Sequence, residues 1–229
     1  MKKVLMIAAM MVAAMTVKAQ HAPGTFTIQP KAGIGVAWMS NSERLYVPGT
    51  AGLPAFNLDK SVTFGALIGA EAEYQIIDWF SVAAGLNYSL QGTGWADKSS
   101  TVSGVDVDVK DTRLQLGYIN IPIVANFYVY KGLALKTGVQ VGFLTNANLK
   151  STIKAKTSST NYNLDRDMSV KNKCKTVDVS IPVGVSYEFS NVVIDARYNI
   201  GLTKVFKGDG APDMKNQVFM ITGGYKFEL

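Results

Sequence analysis

The sequence holds one cysteine and one histidine in 229 residues. Cys174 has no partner for a disulfide within the chain, which excludes a small scaffold stapled by disulfides. His21 stands ahead of every periodic segment, so a Ser–His–Asp site within the body of the fold lacks its base, and a His/Cys metal site lacks ligands. Charge is also scarce: Asp, Glu, Lys and Arg make up 17% of the chain, against a usual share of about 25%. Beyond residue 20 no run of eighteen apolar residues occurs, which leaves no helical membrane span. Helical periodicity is weak throughout. Glycine (21) and phenylalanine plus tyrosine (10 each) are plentiful, a mixture that suits strands and turns.

The opening MKKVLMIAAMMVAAMTVKAQ reads as a leader. Lys2 and Lys3 form a charged start, Val4 to Val17 an apolar stretch too short to span roughly 30 Å of hydrocarbon, and Val17-Lys18-Ala19 a small-residue cleavage site. The expectation is a signal peptide over residues 1–19, cut after Ala19, leaving one domain over 20–229. No cysteine follows the cut, so a lipid anchor there is not expected. The leader carries three lysines and no acid, so the net charge falls from +6 to +3 (20 basic, 17 acidic) and gives no case for nucleic-acid binding.

Two-residue alternation marks eight segments, roughly 26–40, 62–76, 79–94, 112–130, 132–149, 173–189, 191–205 and 214–229. Tight turns are expected at Ile77-Asp78, Lys131-Gly132 and Ser190-Asn191. The other connections, 41–61, 95–111, 150–172 and 206–213, are longer and polar. An even strand count with short turns at one end and long loops at the other predicts an all-β fold: an eight-stranded antiparallel up-and-down transmembrane β-barrel. Its two ends, like the short turns, belong on the periplasmic side of a Gram-negative outer membrane, and the loops outside.

The two faces of each segment support this. Phe26, Ile28, Pro30, Ala32, Ile34, Val36 and Trp38 share one side of the first segment, while Lys31, Gly33 and Gly35 share the other. Phe64 to Ile76, Val177 to Phe189 and Phe219 to Leu229 repeat the pattern. A soluble lipocalin-like barrel would turn the apolar face inward and need a densely charged exterior. The polar faces here are mostly Gly, Ser, Asn and Gln, which favours apolar-outward. Aromatics gather near both ends: Phe26, Tyr74, Trp79, Phe80, Phe127, Tyr187, Phe189, Tyr225 and Phe227 at the turn end, and Trp38, Phe64, Tyr88, Trp95, Tyr118, Phe143, Phe206 and Phe219 at the loop end. Two such bands fit interfacial girdles. The fourth segment is the exception. Leu114, Leu116 and Tyr118 have one parity and Ile119, Ile121 and Ile123 the other, which predicts a bulge near Tyr118, with Pro122 adding irregularity.

VIDARYNIGL at 193–202 fixes the orientation. Asp195, Arg197 and Asn199 share one face, and Arg197 turned to mid-membrane lipid would cost about 2–4 kcal/mol. The predicted inward charges are Lys31, Glu71, Glu73, Lys136, Glu188, Asp195, Arg197, Lys226 and Glu228, all in the turn-end half. Exposing all nine to lipid would cost on the order of 20 kcal/mol. Four are basic and five acidic. A selective pore would show one dominant sign, so the mixture predicts a hydrogen-bonded plug.

The stretches YINIPIVANFYV (118–129), LALKTGVQVGFL (133–144) and GGYKFEL (223–229) resemble the PorT-like outer-membrane β-barrel family of Gram-negative bacteria, over nearly the whole mature chain. That resemblance implies an acid where Asn120 stands, so no role of that acid is carried over. It also implies that the aromatic-bearing end segment, finished here by Leu229, is read by barrel-assembly machinery. The secretion role of some relatives is not transferred.

Glu71 and Glu73 could form an acid/base pair, but the reading preferred is that they pair with Lys31 and Arg197. VDVDVKD at 105–111 lacks the glycine and distal glutamate of a calcium loop and reads as a strand extension. Lys173, Lys175 and Lys204, on the outward parity of segments six and seven, are candidates to meet lipopolysaccharide phosphates. The expected function is non-enzymatic and free of cofactors: structural, adhesive or partner-docking, through the outer loops. The alternatives are a small transport channel and a soluble ligand-binding barrel. Expected partners are outer-membrane lipid, lipopolysaccharide, the assembly machinery and an unidentified protein at the loops, with no nucleic acid.

Overall fold

The computed structural model describes residues 21–41, 45–47, 56–102, 105–156, 161–208, 210–211 and 213–229. The expected signal peptide lies outside the described residues. Eight long strands follow one another: β1 (Phe26–Ser40), β2 (Thr63–Ile77), β3 (Phe80–Trp95), β4 (Val105–Tyr130), β5 (Leu133–Lys156), β6 (Val177–Phe189), β7 (Val192–Gly201) and β8 (Lys215–Tyr225). Each pairs antiparallel with its chain neighbours, and β8 closes on β1 with Lys31 opposite Gly224 and Ser40 opposite Lys215. The ring therefore has no free edge among its eight strands. Phe227–Glu228 continues β8 against Thr27 and Ile28.

The outer surface is apolar because every second residue is. Ile34, Phe64, Ile68 and Leu86 are 73%, 83%, 65% and 60% exposed, while Lys31, Glu71 and Arg197 are buried. Burial alternates along β1, β2, β6, β7 and β8 as the sequence parity requires. The turn-end aromatics touch one another: Phe80 and Phe127 ring centroids are 5.2 Å apart, and Tyr225 and Phe227 4.8 Å.

Three details differ from the sequence reading. The first hairpin turns at Asp78-Trp79, one residue later than expected, because the ladder shifts between Gln75 and Ile77; the Gln75 amide donates to the carbonyls of Ile77 and Phe80 and holds the shift. The third turn is at Ser190-Asn191, both with positive φ (48° and 69°), as a type I′ hairpin requires.

The fourth segment carries the second difference. Its even-numbered residues point inward without interruption from Leu114 to Tyr128. The register does move beside Tyr118, from Gly117 opposite Asn146 to Tyr118 opposite Leu144, but the extra residue is Thr145 of β5. Its hydroxyl donates to the Gly117 carbonyl at 2.9 Å. Pro122 leaves a gap in the β3–β4 ladder between Ala84–Ile123 and Asn87–Asn120. Thus the inner face of the barrel itself changes from polar to apolar. Two residues placed in the loop-end girdle, Trp95 and Tyr118, point inward (9% and 1% exposed), and Phe206 packs against the interior cluster.

The third difference is at the loop end, where polar connections turn out to be strand. β4 has 26 residues and β5 has 24, more than twice the 9–11 that a tilted membrane strand needs. Their outer ends pair with Lys98–Val102 and Asn161–Ser169, so VDVDVKD lies within a projecting sheet. Leu45–Val47 and Phe56–Leu58 form a separate short ribbon.

Candidate functional site

The interior is filled in three tiers. At the turn end lies a chain of ion pairs. The Arg197 guanidinium forks onto Glu71 (2.9 and 3.3 Å) and donates to Asp195 (2.8 Å). Lys31 donates to Glu71, and Lys136 to Asp195 at 2.8 Å. Beside this pentad, Lys226 bridges Glu73 (3.0 Å) and Glu188 (2.8 Å). The Tyr128 hydroxyl donates to Glu73 and accepts from Lys226, and the Ser81 hydroxyl donates to Glu73 at 2.6 Å. A lone buried pair gains little, because desolvation offsets its attraction. Here Arg197, Lys226 and all four carboxylates have two or more partners, with Lys31 and Lys136 at the two ends of the chain, which is the geometry that recovers the loss.

The local sequence explains how eight charged side chains, from β1, β2, β5, β6, β7 and the residue after β8, converge. Alternation sends them all inward, and glycines make room among them. Gly184 lies between Lys136 and Arg197 in one row, and Gly85 lies opposite Glu71. A Cβ at Gly85 would fall 2.5 Å from Glu71 Cγ.

Above the ions is an amide tier. Asn120 donates to Asn87 (3.0 Å) and Ser89 (2.9 Å), and Gln91 donates to Ser89 (2.8 Å). Asn120, where the family resemblance implies an acid, thus serves as a neutral link. Higher still, Met39, Leu114, Leu116, Tyr118, Leu144 and Val205 form an apolar tier, packed with Trp95 and Cys174. Burial in it raises the Cys174 thiol pKa. Asp178 is buried at its border, where it accepts from the Thr203 hydroxyl at 2.6 Å.

The predicted charges divide as follows. Lys31, Glu71, Lys136, Asp195 and Arg197 form the pentad, and Glu73, Glu188 and Lys226 the second group. Glu71 meets Lys31 and Arg197, as the pairing reading has it, whereas Glu73 meets Lys226, Ser81 and Tyr128 instead. Glu228 is not in the lumen: its side chain is 59% exposed at the turn-end rim. The break between β8 and Phe227–Glu228 lets Lys226 point in while Glu228 stays out.

His21 is the participant that sequence position concealed. Although it precedes β1, it is 7% exposed and lies under the barrel floor, with Nε2 2.8 Å from Glu188 and Nδ1 3.1 Å from Glu228. Gly24 N–H donates to the Gln75 carbonyl and fastens the same segment. Both ring nitrogens face carboxylates, so neither can take a proton from a hydroxyl nucleophile. The Glu188 hydrogen bond raises the His21 pKa above its ordinary 6.5, against the opposing effect of burial.

Lys173, Lys175 and Lys204 are exposed but lie outside the regular strands: β6 begins at Val177 and β7 ends at Gly201. Lys173 ends a short 3-10 turn, Lys171–Lys173, and Cys174 bridges Phe206 beyond it. On the projecting sheet, Asp111, Arg113, Lys150, Thr152 and Asp165 line an open recess of about 420 Å³.

The family model described as outer membrane protein beta-barrel domain matches residues 18–207. No curated protein matches the chain. Among solved structures, Ail, the attachment invasion locus protein of Yersinia pestis, in complex with the heparin analogue sucrose octasulfate, is 16% identical with a TM-score of 0.41, over 90% of this chain and 99% of that one. Neisserial surface protein A is 15% identical with a TM-score of 0.42, over 91% and 100%. The outer membrane protease OmpT of Escherichia coli is 10% identical with a TM-score of 0.36, over 90% and 97%.

Proposed function

Because the chain belongs to the outer membrane protein beta-barrel domain family, we propose that it works as a closed, non-conducting barrel that displays its loop-end sheet for surface attachment or for docking a partner protein. The observation that carries this reading is the filled interior: paired ions below, an amide tier between, and an apolar tier above. An eight-stranded ring leaves about enough room for side chains and no more. The turn end faces the periplasm and the projecting sheet faces outward, following the usual asymmetry of such barrels. Catalysis is not part of this reading, since the one imidazole is held by two carboxylates. The stretches at 118–129 and 223–229 support a place in the PorT-like branch and delivery by barrel-assembly machinery. The open recess at Asp111 and Arg113 is lined by charges of both signs, which suits a polar, charged partner surface.

The test is electrical. Purified protein inserted into planar bilayers should show no single-channel steps above the bare-bilayer background. Discrete steps from the unmodified protein would replace this reading with that of a transport channel.

A further inference from the structure

The lipid-facing columns of β6, β7 and β8 change character at one height. On β6 the outward residues run Val183, Ile181, Val179 and Val177, and then, beyond the strand, Lys175 and Lys173. Along β7 they run Ile200, Leu202 and Lys204; along β8, Ile221, Phe219, Gln217 and Lys215. Val177 (44% exposed) beside its cross-strand neighbour Phe143 (41%), and Leu202 (47%) opposite Val179, are the last apolar residues at this end. The next outward residues beyond β6 and β7 are Lys175 and Lys204.

Two lysines there stand side by side without a carboxylate between them. Lys207 N–H donates to the Lys173 carbonyl across the Cys174–Phe206 bridge. Like charges facing each other across paired chains destabilise the pairing unless an anion comes between them. Among the described residues, one carboxylate reaches the group Lys171, Lys173, Lys175, Lys204 and Lys207: Asp213, at 3.9 Å from Lys204. The projecting sheet over β4 and β5 differs. There Lys110 meets Asp108 at 3.2 Å and Lys150 meets Asp167 at 3.4 Å. Cations and carboxylates are interspersed on that sheet, whereas among the described residues the five lysines beside β6 and β7 share one carboxylate.

We propose that Lys173, Lys175, Lys204 and Lys207 form a binding site for the phosphorylated headgroup of an outer-leaflet glycolipid, the lipid A of lipopolysaccharide, with its acyl chains lying against Val177, Leu202 and Phe143. Lysine is a compact point charge suited to phosphate, and the apolar residues beside the lysines are what distinguish a lipid from a free anion. The site rests on the membrane placement and orientation given above, and not on the closed lumen.

The experiment uses the full mature protein folded in detergent micelles and titrated with bisphosphorylated lipid A or with the same lipid stripped of its phosphates. Binding is read by native mass spectrometry, and folding by heat-modifiable gel mobility. The wild type should prefer the phosphorylated lipid. K173Q/K175Q/K204Q/K207Q should lose at least about tenfold in apparent affinity. K98Q/K110Q/K154Q, on the projecting sheet, should stay within about twofold of wild type. Equal binding of the two lipids by the wild type overturns the proposal, whether or not the quadruple variant folds; so does an unchanged, folded quadruple variant, or displacement of the lipid by equimolar inorganic phosphate. A wild type that stays dissolved without detergent overturns the membrane reading along with it.

Discussion

Glu71 sits in a group of three cations and two carboxylates, and that imbalance makes the residues of the pentad unequal. Without the Glu71 charge, Lys31, Lys136 and Arg197 share Asp195 alone. Without Arg197, two lysines remain for two carboxylates. Glu71→Gln should therefore destabilise the barrel by about 3–5 kcal/mol, and Arg197→Met by clearly less. Denaturant unfolding in micelles checks the order, and equal losses would refute the unequal roles. His21 acts in another way. Its folded pKa is raised, so the stability it adds is fully present below its unfolded value of 6.5 and disappears as pH rises through the folded value. Wild type should exceed His21→Gln by roughly 1 kcal/mol near pH 6 and converge with it on the alkaline side. A difference that grows with pH would contradict the clamp. Composition could not reveal this residue, because nothing in the spacing around His21 places it under a floor built from β6 and the segment after β8.

At the scale of strands, alternation identified the ring, and every segment but the fourth could be read from it directly. It failed where its assumption failed. The parity rule assumes a lumen polar at every depth, yet above Asn120 the lumen is apolar, so the rule turns Leu114, Leu116 and Tyr118 toward lipid. Asn120 and Asn126 share their parity and carried the correct signal. Of the projecting sheet, VDVDVKD was legible as a strand extension, but its partners were not: Lys98–Thr101 carries no apolar residue, and Tyr162, Leu164 and Met168 alternate on a strand with water on both faces. The ion cluster was legible because charge spaced by two on apolar strands has one acceptable direction. Its partners were not, since pairing across the lumen depends on which strands face each other. Glycine links the two levels. Gly85→Ala puts a methyl group 2.5 Å from Glu71 Cγ and 2.9 Å from the Ala70 carbonyl, and should cost about 1–3 kcal/mol by pushing Glu71 off its cations. A matching loss in the Glu71→Gln background would refute that route, because the two changes should then be less than additive.

The molecule as a whole is closed twice over, by chemistry of two kinds. The ions of the lower tier balance: Lys31, Lys136, Arg197 and Lys226 against Glu71, Glu73, Glu188 and Asp195. Neutralising one of them disturbs the lower tier but leaves Leu114, Leu116 and Leu144 in place above, so the single substitutions proposed here should lower stability without opening a conductance. The seam between β1 and β8 adds a last consequence. Among the described residues, Lys226, just past β8, is the one ammonium that reaches both Glu73 of β2 and Glu188 of β6. Before that strand zips onto β1, the β6–β7–β8 meander already brings Lys226 beside Glu188, while Glu73 stands on the far side of the seam. Ring closure and the neutralisation of Glu73 are then a single event, so the acid that β2 contributes helps to draw the last ribbon home.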